Sequence, residues 1–302
     1  MDVYQIVTDK IISLLEQGTI PWRKPWTSTN GMPRNLITDK EYRGINCLLL
    51  GCQNYSSPYW VSFKQVISKN GNVRKGEKAS LVVFYQFHAS SKAGGAGESN
   101  PVNASDSANV PLKKHGRGQP PFLLRYYKVF NLEQCEGITV PPSETTTYQF
   151  SPIEKAEQIV TDMIDPPEII YGSQKASYSP VMDTIRMPFG DCFEKREEFY
   201  SVLFHEMGHS TGHLSRLNRK EVMEKNEFGS QDYSTEELCA EMSAAMLCAV
   251  AGISNETVEL SASYIESWLS AFRTNKKLLV VAAAKAQKAA DYILNQNREG
   301  EE

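Results

Sequence analysis

The sequence lacks the features of membrane-spanning, secreted and disulfide-stabilised proteins. No stretch approaches the roughly 18 to 20 consecutive apolar residues that a transmembrane helix needs. The chain begins with an acidic residue, Asp2, where a signal peptide would carry basic ones. Its six cysteines form neither a C-x-x-C pair nor a dense framework. These absences predict a cytoplasmic protein with reduced, mostly buried thiols and no membrane partner.

Each half of the sequence is short of one sign of charge. Residues 1–140 carry 17 Lys and Arg against 10 Asp and Glu, a net charge of +7. Residues 141–302 carry 15 against 26, a net charge of -11. A chain of 302 residues is long enough for two domains with separate cores. The asymmetry indicates that the two domains have different functions.

Residue patterns in the first half of the sequence predict short helices and a pair of strands. An apolar face of period 3.6 indicates a helix over residues 3–15, with Asp2 as its N-cap and Gly18 as its stop. The further elements predicted in this half are helices at residues 47–52 and 59–67 and strands at residues 80–87 and 122–130. Both runs are rich in β-branched and aromatic residues, which predicts strands, and we expect the two to pair as an antiparallel hairpin across the long segment between them.

Two segments of biased composition divide the chain. Residues 88–121 are rich in Ser, Ala, Gly, Asn and Pro and contain no run that could build a core, which predicts a disordered loop. Residues 141–150 begin with two prolines followed by Ser, Glu and Thr, which predicts a linker. The predicted domains are therefore residues 1–140 and 151–302.

Residue patterns in the second half of the sequence predict helices beside a small sheet. Residues 168–171 indicate a strand, and residues 176–187 alternate like a hairpin in which Pro180 confines one arm to a sheet edge or turn. Helices are predicted at residues 153–163, 193–209, 235–252, 256–270 and 275–295. The whole chain is therefore predicted to be α+β, with a mixed α/β N-terminal domain.

One helix of the second half has the spacing of a metal-binding motif. His205, Glu206 and His209 form the pattern H-E-x-x-H. On a helix, both imidazoles lie one turn apart on the same face, where they can hold one zinc ion. Glu206 then lies beside the metal as a general base.

The third metal ligand has to come from elsewhere, because a catalytic zinc usually has three protein ligands and one open position. A third histidine at metzincin spacing is excluded, since that position is Ser215. On the next helix, Glu237 and Glu241 are one turn apart. We expect Glu237 to bind the metal and Glu241 to accept a hydrogen bond from a ligand imidazole. Glu236 is a competing third ligand.

This set of residues predicts a zinc metallopeptidase with one Zn²⁺ per chain. A zinc ion held by His205, His209 and Glu237 would activate water and polarise a peptide carbonyl, with Glu206 moving the proton. The hairpin at residues 176–187 could hold an extended peptide by strand addition. The competing interpretations are an amphipathic helix with surface histidines and a structural zinc, although the latter normally has four ligands rich in Cys.

Single-stranded nucleic acid is bound by aromatic faces that stack on bases and by cations that contact phosphates. Both are present in the basic half, but most aromatic residues of any domain belong to its core, so composition alone leaves nucleic-acid binding open. The candidate contacts are Trp22, Arg23, Lys24, Trp26, Tyr42, Arg43, Arg74, Lys75 and Lys78. Further aromatics and cations of this half are Tyr59, Trp60, Tyr85, Arg34 and Lys64.

Short stretches in both halves match the motifs of a known family. They are residues 21–26, 42–46, 73–78 and 129–134 in the first half and residues 205–209, 211–212, 216–219 and 236–241 in the second. With these stretches the chain resembles the ArdC-type antirestriction proteins of mobile elements. The resemblance implies an N-terminal domain that binds single-stranded DNA, with Asn46 among its contacts. It also implies a C-terminal zincin-like metallopeptidase domain and protection of incoming plasmid DNA from host restriction.

The sequence therefore predicts an antirestriction protein that binds single-stranded DNA and carries a zinc-dependent peptidase site. One alternative is a protease that cleaves a host or phage regulatory protein, with the N-terminal domain as a targeting module. A second alternative is a DNA-binding module whose peptidase fold is inactive. The sequence identifies no protein substrate.

Overall fold

The structure is a computed structural model that describes residues 2–22, 32–53, 55–87, 102–103, 122–138, 151–223, 230–253 and 262–296. Its helices are α1 (Val3–Glu16), α2 (Ile45–Gly51), α3 (Phe63–Ser68), α4 (Pro152–Asp162), α5 (Arg196–Ser210), α6 (Lys220–Met223), α7 (Gln231–Ala251), α8 (Ala262–Thr274) and α9 (Leu278–Ile293). Its strands are β1 (Arg34–Asn35), β2 (Tyr59–Ser62), β3 (Asn72–Val73), β4 (Ser80–Phe87), β5 (Val102–Asn103), β6 (Phe122–Asn131), β7 (Cys135–Glu136), β8 (Glu168–Tyr171), β9 (Ser177–Ser179) and β10 (Thr184–Met187). Across these ranges, none of the helices combines the length and apolar character needed to cross a lipid bilayer.

The N-terminal domain is built on a sheet with the strand order β1-β2-β6-β4-β5. β4 and β6 pair antiparallel, from Ser80 opposite Val129 to Phe87 opposite Phe122, which confirms the predicted pair. β2 pairs antiparallel with β6, and β1 pairs parallel with β2. The predicted first helix is also confirmed as α1, which begins after Asp2.

The prediction of a helix over residues 59–67 is partly wrong. These residues are divided between β2 and α3. The first three are aromatic or β-branched, and they extend the sheet beside β6. α3 begins only after Ser62, whose hydroxyl accepts a hydrogen bond from the Gln65 N–H while the Gln65 side chain accepts one from the Ser62 N–H. This capping box fixes the start of the helix at Phe63.

Two composition-based predictions lie mostly outside the described residues. Within residues 88–121 the structure describes Val102–Asn103, which pair antiparallel with β4 as strand β5. The rest of the predicted loop and the linker at residues 141–150 are not among the described ranges, so the domain boundary stays a prediction.

The C-terminal domain places a small sheet beside its helices. Its strand order is β8-β10-β9, with β8 and β10 parallel and β9 and β10 antiparallel, which confirms the predicted hairpin. α7 begins after Ser230, whose hydroxyl accepts from the Tyr233 N–H, and ends at Gly252, which has a φ of 77°. α7 packs against both α5 and α9. The fold is therefore α+β with two domains, as predicted.

One apolar cluster spans both domains. It contains Val7 of α1, Leu203 of α5 and Leu279 of α9, all of them buried. Trp22 packs edge-on against Trp268 of α8, with ring centroids 5.2 Å apart. The two domains therefore bury apolar surface against each other.

A polar contact lies at the same interface. Arg43 forms an ion pair with Asp291 of α9. The N–H of Gly44 donates to Gln287 Oε1 at 2.9 Å, and Gln287 Nε2 donates to Asp291 Oδ1 at 3.1 Å. Gly44 has a φ of 56°, a conformation that glycine adopts without steric cost. We call these four residues the interdomain latch.

The packing of α5 on α7 depends on Gly208. A Cβ atom at this position would lie 2.4 Å from Ser243 Oγ and 3.2 Å from Ala240 Cα. Overpacking a core typically costs about 1–3 kcal/mol, which exceeds the ~1 kcal/mol that alanine gains over glycine in helix propensity. We therefore expect Gly208→Ala to lower the free energy of unfolding by up to about 2 kcal/mol in urea denaturation.

Two further variants locate the cause of this loss. Gly190→Ala is the matched control, because a Cβ atom there would meet no other heavy atom within 4 Å. Ser243→Ala in the Gly208→Ala background removes the clashing hydroxyl and should restore part of the stability. If Gly208→Ala is as stable as Gly190→Ala, the close approach of the two helices is wrong.

Candidate functional site

α5 holds the two histidines of the H-E-x-x-H pattern one turn apart. The Nε2 atoms of His205 and His209 lie 3.1 Å from each other. Both side chains are largely buried, with 19% and 14% of their surface exposed. The helical spacing of the two imidazoles is therefore as predicted, and their ring edges converge on one point.

Glu237 of α7 faces the same point. Its Oε2 lies 3.7 Å from His205 Nε2, and its Oε1 lies 3.7 Å from His209 Nε2. Zinc ligands about 2.1 Å from a tetrahedral ion are roughly 3.4 Å apart, so these donor atoms have suitable separations. Within the described ranges, His205, His209 and Glu237 form the one group of His, Cys, Asp or Glu side chains that could hold a metal ion.

Glu236 has a different position from Glu237. Its Oε1 lies 3.1 Å from His209 Nδ1, on the side of the ring away from Nε2. Arg219 donates to both oxygens of Glu236, from Nε at 2.9 Å and from Nη2 at 2.6 Å. Glu236 is thereby held as a hydrogen-bond partner of His209, which leaves Glu237 as the carboxylate that faces both Nε2 atoms.

Arg219 also ties this group to α5. Its Nη2 donates to the carbonyl of Gly208 at 2.8 Å, and its Nη1 donates to Thr211 Oγ1 at 2.6 Å. Both Arg219 and Glu236 are buried, so their charges are compensated mainly by each other. No role for Arg219 is predicted from the sequence. The signal that could have identified Arg219 is its position in residues 216–219, one of the stretches that match the family's motifs.

The charges around His209 favour a cation. Burial opposes ionisation of Glu236, but Arg219 and the hydrogen bonds from His209 and Arg219 outweigh it and lower the pKa of Glu236 to about 2. Burial would also lower the pKa of His209, but Glu236, Glu237 and Glu206 outweigh it and raise the pKa of His209 to about 9. The carboxylates that favour a proton on the imidazole also favour a metal cation beside it, and a metal bound to the ring displaces that proton.

The remaining predicted residues lie next to this group. The Glu206 side chain is buried on α5, and its charge reaches His209. Glu241 Oε1 lies 3.9 Å from His205 Nδ1. That distance is beyond a direct hydrogen bond, so the predicted role of Glu241 stays a prediction.

Arg216 attaches the hairpin to the end of α5. Its guanidinium pairs with Asp183, which precedes β10, and donates to the carbonyl of Ser210 at 2.8 Å. Tyr178 of β9 donates to Asp183 Oδ1 at 2.8 Å. The edge strand β9 is therefore fixed relative to the helix that carries His205 and His209.

Comparisons with known proteins find matches along nearly the whole chain. Residues 1–130 match the family described as the N-terminal domain of anti-restriction factor ArdC, and residues 154–285 match the zincin-like metallopeptidase family. Crystal structures of the antirestriction ArdC protein from plasmid R388 align over nearly all of both chains. The metal-free form has a TM-score of 0.72 at 32% identity, covering 98% of this chain and 97% of that one. The Mn(II)-bound form has a TM-score of 0.72 at 31% identity, covering 99% and 100%.

The chain belongs to the ArdC antirestriction family. It is also 34% identical to the uncharacterized protein y4eC of Sinorhizobium fredii, over 97% of this chain and 91% of that protein. Two DNA primases named TraC from Escherichia coli are 33% identical over 96% of this chain. This chain spans 27% and 20% of those primases. The ArdC-like pair of domains thus also occurs as a minor part of longer proteins.

The N-terminal candidates of this ArdC-family chain separate into buried and exposed residues. Trp22 and Tyr42 are buried in apolar clusters. Asn46 is fully buried, and its amide pairs with both the N–H and the C=O of Val83 at 2.8 Å. Arg43 belongs to the interdomain latch. These four side chains therefore have structural contacts that DNA binding would have to break.

The other N-terminal candidates are exposed or undescribed. Lys75 and Lys78 are exposed. Arg74 is half-exposed, and its guanidinium donates to the Glu133 carbonyl and to Glu77. Arg23, Lys24 and Trp26 lie outside the described residues, so their roles remain as predicted from the sequence.

We expect Glu236→Gln to weaken metal binding by about 10- to 100-fold, the usual effect of changing a group that orients a metal ligand. The neutral amide cannot hold the charge of Arg219 or fix His209 as strongly. Metal affinity would be measured by competition with a chromophoric chelator. Glu266→Gln, at an exposed position of α8, is the control. Equal affinities of the two variants would contradict an orienting role for Glu236.

Proposed function

We propose that this chain is an antirestriction protein that binds single-stranded DNA and hydrolyses a protein at a divalent-metal site, with zinc as the metal. The convergence of His205, His209 and Glu237 on one point carries the proposal for the site. Two imidazoles and one carboxylate are a common ligand set of catalytic zinc. The Mn(II) in the R388 protein is compatible with the same donors, since imidazole and carboxylate also bind manganese.

The chemistry follows from the residues around this point. When bound, a divalent metal supplies a Lewis acid that polarises a peptide carbonyl and lowers the pKa of water. Glu206 takes a proton from the attacking water and delivers it to the leaving amine nitrogen. Arg219, acting through Glu236, keeps the His209 ring in one orientation.

The edge strand β9 supplies a binding position for the peptide. β9 lies at the free edge of its sheet, and it contacts α5. An extended peptide can add to such an edge through main-chain hydrogen bonds. The Arg216–Asp183 ion pair keeps the edge in register with the histidines, so that a bound peptide passes beside them.

The DNA-binding part of the proposal rests on the N-terminal domain. Its match to the ArdC N-terminal family and the +7 charge of residues 1–140 both favour a polyanionic partner. No particular protein is proposed as the substrate. Hydrolysis is proposed to take place inside the cell that receives plasmid DNA.

Metal analysis combined with a DNA-binding comparison tests this function. We expect one metal ion per chain in purified protein. We also expect tighter binding to a labelled single-stranded oligonucleotide than to the duplex of the same sequence, at fixed salt because phosphate contacts depend strongly on salt. Protein without stoichiometric metal would contradict the metal site, and equal affinity for the two DNA forms would contradict the preference for single strands.

A further inference from the structure

A surface that binds single-stranded DNA needs aromatic rings that bases can reach. Several aromatics of the N-terminal domain cannot serve, because Trp22, Tyr42 and Trp60 are buried. The domain nevertheless exposes large rings elsewhere. Tyr126 is 45% exposed and Phe63 is 55% exposed.

These two residues lie on the same side of the N-terminal domain, Tyr126 on strand β6 and Phe63 at the start of α3. Alternate residues of β6 share a face, so Tyr126, Lys128 and Phe130 lie in a row at intervals of about 6.6 Å. Phe63, at the start of α3, continues the row, with its ring centroid 6.5 Å from that of Phe130. We call these four residues the aromatic strip.

The charge of this face suits a polyanion. Lys128 lies between two aromatic members of the strip and is exposed. No ion pair is found for it within the described part of the chain. Lys64, next to Phe63, is exposed as well. The strip therefore combines rings and cations as a stacking surface for nucleic acid requires.

The opposite face of the same strands has a different character. Tyr55 lies there, packed edge-on against Trp60. Burial and then the negative charges of Glu77 and Glu133 raise the pKa of Tyr55. Arg74 pairs with Glu77 there, so the surroundings of Tyr55 carry both signs of charge, with the carboxylates compensating the cation.

We propose that the aromatic strip is the surface on which this chain stacks the bases of single-stranded DNA. The inference rests on the DNA binding proposed above and adds the position of the binding surface on the N-terminal domain. Bases stack on Tyr126, Phe130 and Phe63, and the Lys128 ammonium contacts a phosphate. Because every base has an aromatic face, binding of this kind tolerates any sequence.

Fluorescence anisotropy with a labelled oligothymidylate of about 20 nucleotides tests the location. That length exceeds the ~4–16 nucleotides that a single site of this type covers. We expect Tyr126→Leu and Phe63→Leu each to weaken binding by about 5- to 100-fold, the effect of losing one stacked base. We expect Lys128→Ala to reduce the slope of log affinity against log salt by about 0.7, the contribution of one phosphate contact.

The chain offers two matched controls. Tyr127 is adjacent to Tyr126 and 44% exposed, but its ring lies on the opposite face, against Phe84. Tyr171 of β8 is 48% exposed and belongs to the C-terminal domain. We expect Tyr127→Leu and Tyr171→Leu to bind within about twofold of the unmodified protein. The midpoint of thermal unfolding is measured for every variant, and Phe63→Leu provides an independent test on a different element from β6.

The outcomes separate the location from the function. Unmodified protein that binds the oligothymidylate, with losses confined to the strip variants, supports the inference. If the strip variants bind as tightly as the unmodified protein, or if Tyr127→Leu loses as much as Tyr126→Leu, the location is overturned while DNA binding stands. If the unmodified protein itself does not bind the oligothymidylate, the proposed DNA binding fails and the location fails with it.

Discussion

Replacing Glu206 by Gln is expected to lower protein hydrolysis by about 10²- to 10⁴-fold, the usual contribution of a general base. The amide has nearly the same shape as the carboxylate but cannot take a proton from water. Glu206 is not among the three side chains that face the metal position, so metal stoichiometry and DNA affinity should remain unchanged. Hydrolysis would be followed with fluorescein-labelled casein, and Glu197→Gln in the first turn of α5 is the control.

The same variant discriminates between the functional alternatives. Protection is measured as the survival of unmodified plasmid DNA in a restricting host. If Glu206→Gln abolishes both hydrolysis and protection, proteolysis is the basis of the antirestriction effect. Full protection without hydrolysis would favour a binding module whose peptidase site is dispensable. Hydrolysis at the unmodified rate would remove Glu206 from the mechanism.

Removing Glu237, the third ligand, is expected to lower metal affinity more than a substitution at a residue that only orients a ligand, such as Glu236. Glu237→Ala leaves two imidazoles, so we expect metal affinity to fall by more than about 100-fold, beyond the range for orienting groups. Isothermal titration with Zn²⁺ into metal-free protein measures this loss. Glu236→Gln should give an intermediate affinity and Glu266→Gln an unchanged one.

Thermal unfolding gives a second measure of the same prediction. A metal present at 100 times its dissociation constant stabilises the folded state by about 2.7 kcal/mol. The unmodified protein should therefore gain stability on addition of Zn²⁺, and Glu237→Ala should gain much less. If Glu237→Ala retains one tightly bound metal per chain, the ligand set is wrong.

The sequence predicts the parts of this molecule that depend on local patterns. The period of apolar residues and the Asp2 cap identify α1, and the β-branched runs identify β4 and β6. Spacing along one helix is also a local property, which is why the His205 and His209 geometry is predictable. The prediction misses the boundary inside residues 59–67, although the capping box of Ser62 and Gln65 is a local pattern, because aromatic and β-branched residues occur on both sides of it.

The partners of the site depend on contacts between distant elements. Glu236 and Glu237 are neighbours on α7, and the sequence leaves both as possible third ligands. The structure separates them because Arg219, 17 positions away, holds Glu236 against His209. In the same way, Trp22 and Tyr42 are predicted DNA contacts by residue type and Asn46 by the family resemblance, but tertiary packing places all three in the interior.

The apolar cluster shared by the domains and the interdomain latch have a consequence for genetics. Because Val7 and Trp22 are covered by helices of the C-terminal domain, unfolding of either domain exposes apolar surface of the other to water. A destabilising substitution at Asp291 or Trp268 is therefore expected to lower the folded population of both domains. A loss-of-function allele in the C-terminal domain therefore does not by itself reveal which of the two proposed activities is required. That assignment needs variants such as Glu206→Gln, which change chemistry while leaving the folded population intact.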